Sequence, residues 1–85
     1  MEIHYTHKAT EQLESLSNPI QKRIAKKMRF YANQKEPLRF AKRLAEPREG
    51  EFRFRIGDYR VIFDIIGKKI FILAIKKRDE AYDYN

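Results

Sequence analysis

The chain has 85 residues, 42% of them hydrophobic, with six Phe, five Tyr and no Cys, and its 19 Lys and Arg against 12 Asp and Glu leave a net charge of +7. That length suits one domain spanning residues 1–85, and the absence of cysteine excludes a disulfide framework, a thiol nucleophile and a Cys-based zinc site. The opening residues lack the charged-then-apolar pattern of a secretory signal, and no apolar run approaches the roughly 18 residues of a membrane span, so the expectation is a cytoplasmic protein with no membrane partner.

Glu2 to Thr6 reads as a short strand with Ile3 and Tyr5 on one face, and Thr6 suits the cap of the helix that follows. That helix, His7 to Leu16, carries a narrow apolar stripe of Ala9, Leu13 and Leu16. Ser17-Asn18-Pro19 breaks the chain and restarts it, with Asn18 as N-cap and Pro19 where a missing N–H costs nothing. The spacing of Ile20, Ile24, Met28, Tyr31 and Ala32 predicts a second helix to about Gln34, antiparallel to the first, with Lys22, Arg23, Lys26, Lys27 and Arg29 on its solvent face.

From Lys35 to Gly50 the periodicity fails and Pro37 and Pro47 appear, so an irregular connector is expected, with a helical turn around Phe40 to Leu44. Period two then begins. Phe52, Phe54 and Ile56 alternate with Glu51, Arg53 and Arg55; Gly57-Asp58 is a hairpin signal of type II′; and Tyr59 to Ile65 returns as a second strand. Gly67-Lys68 turns the chain again into Lys69 to Ile75, apolar on both faces and therefore central. A meander whose last strand is central needs a further neighbour, and the N-terminal strand supplies it. The expected fold is α+β: a four-stranded sheet in the order second, third, fourth, first, with the helical hairpin on one face.

The middle of the chain holds the charge. Between Lys22 and Arg60 thirteen basic residues stand against five acidic ones, an excess of eight. Such a field favours polyanions, nucleic acid first, then an anionic membrane surface or an acidic protein; a merely solubilising surface is the alternative. Arg53 and Arg55 share the polar face of one strand, and if Arg60 shares it too, three guanidiniums suited to forked phosphate binding line one surface. Pairing of Arg60 with Asp64 on its own strand is the structural alternative. His4 and His7 do not complete a metal site, so no metal is expected.

The run Phe52 to Phe63, FRFRIGDYRVIF, resembles the signature of the RelE/ParE superfamily of toxins, in which an aromatic-basic alternation leads through a Gly turn into a Tyr-Arg-hydrophobic strand. Lys42-Arg43-Leu44 and the terminal Glu80-Ala81-Tyr82 extend the resemblance over essentially the whole chain. For the RelE-like branch it implies cleavage of messenger RNA on the ribosome without metal or cofactor, by attack of a ribose 2′-OH on its own 3′ phosphate. It also implies a cognate antitoxin and a toxin–antitoxin hetero-oligomer.

Carried over by position, the resemblance makes Arg60, Tyr82, Arg78, Arg53 and Arg55 the catalytic candidates, and Lys42, Arg43, Lys76, Lys77 and Lys26 the RNA-binding ones. Two departures stand out. Arg53 and Arg55 cannot lose a proton near neutrality, which leaves Tyr82, Lys76 or Lys77 for proton transfer. Ala45 occupies a position that is often basic in relatives, removing one expected phosphate contact. The ParE-like branch shares the fold and implies inhibition of DNA gyrase instead; a nucleic-acid or ribosome-binding module that has lost activity is the third reading.

Overall fold

The computed structural model describes residues 1–45 and 49–78. Strand β1 (Glu2–Tyr5) leads into helix α1 (His7–Glu14), then helix α2 (Asn18–Ala32). A 3-10 turn (Pro37–Phe40) precedes strand β2 (Ala41–Arg43), followed by β3 (Phe52–Ile56), β4 (Tyr59–Ile66) and β5 (Lys69–Lys77). The sheet order is β1-β5-β4-β3-β2, with β1 parallel to β5 and all other pairs antiparallel.

The fold class and the order of the four expected strands stand; the fifth strand is the correction. The helical turn expected over Phe40 to Leu44 lies earlier, at Pro37–Phe40, and Ala41–Arg43 extends to pair with Phe52–Phe54 as an edge strand. Pro37 explains the shift, because its fixed φ suits the opening of the turn, after which the chain is free to extend. Helix α1 stops at Glu14, short of Leu16, and the cap of α2 is Ser17, with Asn18 inside the helix and Pro19 in its first turn. Thr6 caps α1 as its sequence suggests, its hydroxyl accepting the N–H of Ala9 at 3.2 Å.

Both hairpin turns place a glycine first, Gly57 at φ 58° and Gly67 at φ 60°, while Asp58 and Lys68 keep negative φ. This is the type II′ pattern, whose twist matches that of the strands, and it leaves no slack in the β3–β4 register. The helices cover one sheet face. Ile24, Met28 and Tyr31 of α2 meet Phe54, Val61, Phe63, Ile70 and Ile72 there, with Tyr31 stacked on Phe54 at 4.4 Å and Phe54 on Phe63 at 4.3 Å between ring centroids. Full burial of a Leu- or Phe-sized side chain stabilises by about 1.5–3 kcal/mol, so this seam is the main source of cohesion. The opposite face carries Arg53, Arg55, Arg60 and Lys76.

Candidate functional site: a cationic row across three strands

Pairing determines which cations share that face. Arg55 stands opposite Arg60 across β3–β4, and Arg60 opposite Lys76 across β4–β5, giving a continuous row Arg55–Arg60–Lys76. Directly opposite residues have Cβ atoms about 4.5–5.5 Å apart, so the three side chains rise from neighbouring points. One pleat further on, Lys42 faces Arg53, and Arg53 faces Ile62, which faces Ala74. Five cations therefore occupy two adjacent rows.

Arg60 is the buried member, 1% exposed, while Arg55 is exposed. Two unit charges about 5 Å apart in a surrounding of effective dielectric about 20 repel by on the order of 3 kcal/mol. Anions nearby offset that repulsion, and one is built in. Glu49 Oε1 accepts from Lys76 Nζ, in an ion pair whose side chains are 12% (Lys76) and 34% (Glu49) exposed.

Glu49 reaches Lys76 because the end of the connector lies flat on the sheet. A Cβ on Gly50 would sit 2.7 Å from Ile62 Cγ2 and 3.0 Å from Leu73 Cδ1, so a side chain there has no room. The N–H of Glu51 donates to Asp64 Oδ1 at 2.8 Å, and that of Leu44 to the Glu51 carbonyl at 2.9 Å. These contacts press residues 49–51 onto Leu73 and onto Ile62, which is buried on this face. Beside them lies an open cavity of about 520 Å³, lined by Arg43, Leu44, Glu49, Gly50, Glu51, Asp64 and Leu73. Asp64, the alternative partner suggested for Arg60, serves as this latch.

Strand β5 contains one extra residue. Ile72 pairs with Phe63 and Ala74 with Ile62, leaving Leu73 as a bulge. Beyond the bulge the strand's outer edge is engaged by α1, where Gln12 Oε1 accepts the Ile75 N–H at 2.7 Å.

The other sequence candidates separate. Arg43 lies over the Phe52 ring at 5.0 Å, on the helix side of its strand. Lys77 pairs with Tyr59 and so falls on that side too. Lys26 projects from α2, in the layer across the sheet from the row. The N–H of Arg78 donates to the Asp58 carbonyl at 2.6 Å, placing Arg78 next to the Gly57-Asp58 turn at the Arg55 end of the site. Tyr82 lies outside the described residues. Among the described residues no group of three or more His, Cys, Asp or Glu is arranged to hold a metal ion, and no helix is long and apolar enough to cross a membrane.

Sequence reasoning missed Glu49, Gly50 and the Leu73 bulge. A glycine two residues before the aromatic-basic strand was the available signal for close approach; Glu49 carried none.

Residues 3–82 match the family model of the ParE toxin of type II toxin–antitoxin systems. The chain belongs to this family. It is a toxin of the RelE/ParE superfamily, and the match spans the sheet, both helices and the cationic row. The toxin resembles a chain of the RelBE2 toxin–antitoxin complex from Mycobacterium tuberculosis, with 28% identity, TM-score 0.73, and coverage of 91% of this chain and 96% of that one. It also resembles a chain of the RelB–RelE antitoxin–toxin complex from Methanococcus jannaschii, with TM-score 0.71 and coverage of 95% and 96%; at 20% identity that likeness concerns the fold. No curated protein sequence matches the toxin.

Proposed function

We propose that this toxin is a ribosome-dependent endoribonuclease that cuts messenger RNA by attack of a ribose 2′-OH on the adjoining 3′ phosphate, leaving a 2′,3′-cyclic phosphate and a 5′-OH. The observation that carries the reading is the Arg55–Arg60–Lys76 row, with Arg53 and Lys42 in the row beside it. In-line attack adds negative charge to the phosphoryl oxygens, and fixed cations aimed at that charge act most strongly where water is thinned, as around buried Arg60. Arg60 binds the scissile phosphate, Arg55 and Arg53 stabilise the developing charge, and Lys42 tracks the neighbouring backbone. Arg78 and Tyr82 complete the site from the chain's end. The chemistry asks for no metal and no cofactor.

Residues 1–85 act in this reading as one toxin domain in the cytoplasm, held inactive by a cognate antitoxin in a hetero-oligomer. The two solved relatives are themselves toxin–antitoxin complexes, and a protein of charge +7 gains from a partner with an acidic segment.

The match to a ParE family model favours a second reading, inhibition of DNA gyrase without cleavage of RNA. Primer extension on messenger RNA after brief induction distinguishes the two. Discrete cuts that vanish with Arg60→Ala support the ribonuclease; growth arrest with intact messages and damaged DNA supports the gyrase inhibitor. Binding without arrest or cleavage would leave an inactive RNA or ribosome-binding module.

A further inference from the structure

The arginines of this site cannot serve the proton transfers of the reaction. The guanidiniums of Arg53, Arg55 and Arg60 stay charged at any pH the protein survives, so they bind and stabilise but do not shuttle. The reaction nevertheless needs one proton removed from the 2′-OH and another delivered to the departing 5′ oxygen. Among the described residues, Glu49 and Lys76 form an ion pair at this face that can do both, since a carboxylate accepts and an ammonium donates.

We propose that Glu49 and Lys76 form the proton-transfer pair of the site, Glu49 as general base and Lys76 as general acid. This rests on the ribonuclease reading. Three observations support it. Lys76 lies directly across the ladder from Arg60, so the acid stands beside the phosphate-binding group. Glu49 is fixed rather than trailing, because Gly50 is seated on Ile62 and Leu73 and the Glu51 N–H is held by Asp64. The pair is mostly withdrawn from water yet still reachable, at 12% and 34% exposure.

The steps balance. The Glu49 carboxylate takes the 2′-OH proton as the 2′ oxygen bonds to phosphorus. The bond from phosphorus to the 5′ oxygen breaks, and that oxygen takes a proton from the Lys76 ammonium. Glu49 is then protonated and Lys76 neutral, and because they touch, one transfer from carboxyl to amine restores both. No outside acid, base or metal is consumed.

The test is single-turnover cleavage of a ribosome-bound messenger by native toxin, Glu49→Gln, Lys76→Met and the control Glu51→Gln. Each is assayed on an ordinary message and on one with sulfur replacing the bridging 5′ oxygen at the mapped cut, since a thiolate leaves without a proton. Thermal melts verify that each variant is folded. Glu49→Gln is expected to slow cleavage of both messages by about 10²–10⁴-fold. Lys76→Met is expected to slow the oxygen message similarly but cleave the sulfur message near the native rate, and Glu51→Gln to stay within a few-fold of native. A folded Glu49→Gln that cuts normally overturns the pair while leaving the ribonuclease reading intact. So does failure of sulfur to rescue Lys76→Met, or an equal loss in Glu51→Gln. A native protein that cuts neither message overturns both.

Discussion

Arg60 has Arg55 directly opposite on β3 and Lys76 directly opposite on β4's other neighbour, so the most buried cation of the sheet is flanked by cations on both sides. A polyanion binding across the row offsets that repulsion and should stabilise the fold. With ligand at about 100 times its Kd the gain is about 2.7 kcal/mol, and at roughly 4–8 °C per kcal/mol for a domain of this size the melting temperature should rise by at least 10 °C. Calorimetry with a short non-cleavable RNA checks this, and the rise should largely disappear in Arg60→Met.

The connector is predicted to be intolerant of a methyl group at Gly50. Gly50→Ala brings a Cβ within 2.7 Å of Ile62 Cγ2, so the segment must lift or Ile62 must move. Overpacking of this kind costs about 1–3 kcal/mol. Denaturant melts should show that loss, accompanied by a fall in activity larger than the loss of stability explains, because Glu49 lifts with the segment.

On the helix side, Phe54 is fully buried between Tyr31 and Phe63. Phe54→Ala should cost about 3–5 kcal/mol, a large share of the stability of an 85-residue protein, and the variant should be mostly unfolded or recovered in poor yield. Circular dichroism through a urea titration measures it.

Alkaline pH should weaken the fold. Burial pushes the Tyr31 hydroxyl above its ordinary value, and burial likewise raises Tyr5, against an opposing pull from Arg29. The folded state thus retains protons that the unfolded chain releases. Stability from this source is fully present below pH 10.0 and is lost as pH rises from there through the folded values. Tyr31→Phe should flatten that decline, as stability curves taken on either side of pH 10 would show.

Lys42 and Lys26 should behave differently towards RNA. Lys42 faces Arg53 within the cationic rows, whereas Lys26 projects from the opposite layer. Each phosphate contact contributes about 0.7 to the logarithmic salt slope for single strands. Lys42→Ala should lower the slope by about that amount, and Lys26→Ala should leave it unchanged, by fluorescence anisotropy across a salt series.

Much of this was readable beforehand, for identifiable reasons. The Phe52-Phe54-Ile56 alternation and the Gly57-Asp58 turn specify a hairpin whose register puts Arg60 beside Arg55, and the two-sided apolarity of Lys69 to Ile75 requires a strand on each flank. Strand β2 was not readable, because Ala41–Arg43 is too short to show an alternation. Only its pairing with β3 reveals that Lys42 and Arg43 point to opposite faces. Lys26 looked like a site residue because charge along a sequence does not say which layer it occupies. Glu49 was invisible for a related reason: it belongs to an aperiodic stretch, and its partner Lys76 is 27 positions away.

The bulge at Leu73 decides which way the end of β5 faces. Counting from Phe71, strict alternation would put Leu73 and Ile75 on the arginine side and turn Lys76 inward towards the helices; the one surplus residue reverses the parity, so Ala74 and Lys76 face Ile62 and Arg60. Deleting Leu73 would leave Ile72 followed directly by Ala74, which is ordinary alternation, so Ala74 and Lys76 would keep their face and only the kink would go. The damaging change is the opposite one: with all nine residues of β5 kept and the bulge flattened, Lys76 would turn to the core and Ile75 to the arginine row. One unpaired residue thus lets a strand that begins as core end as part of a charged surface.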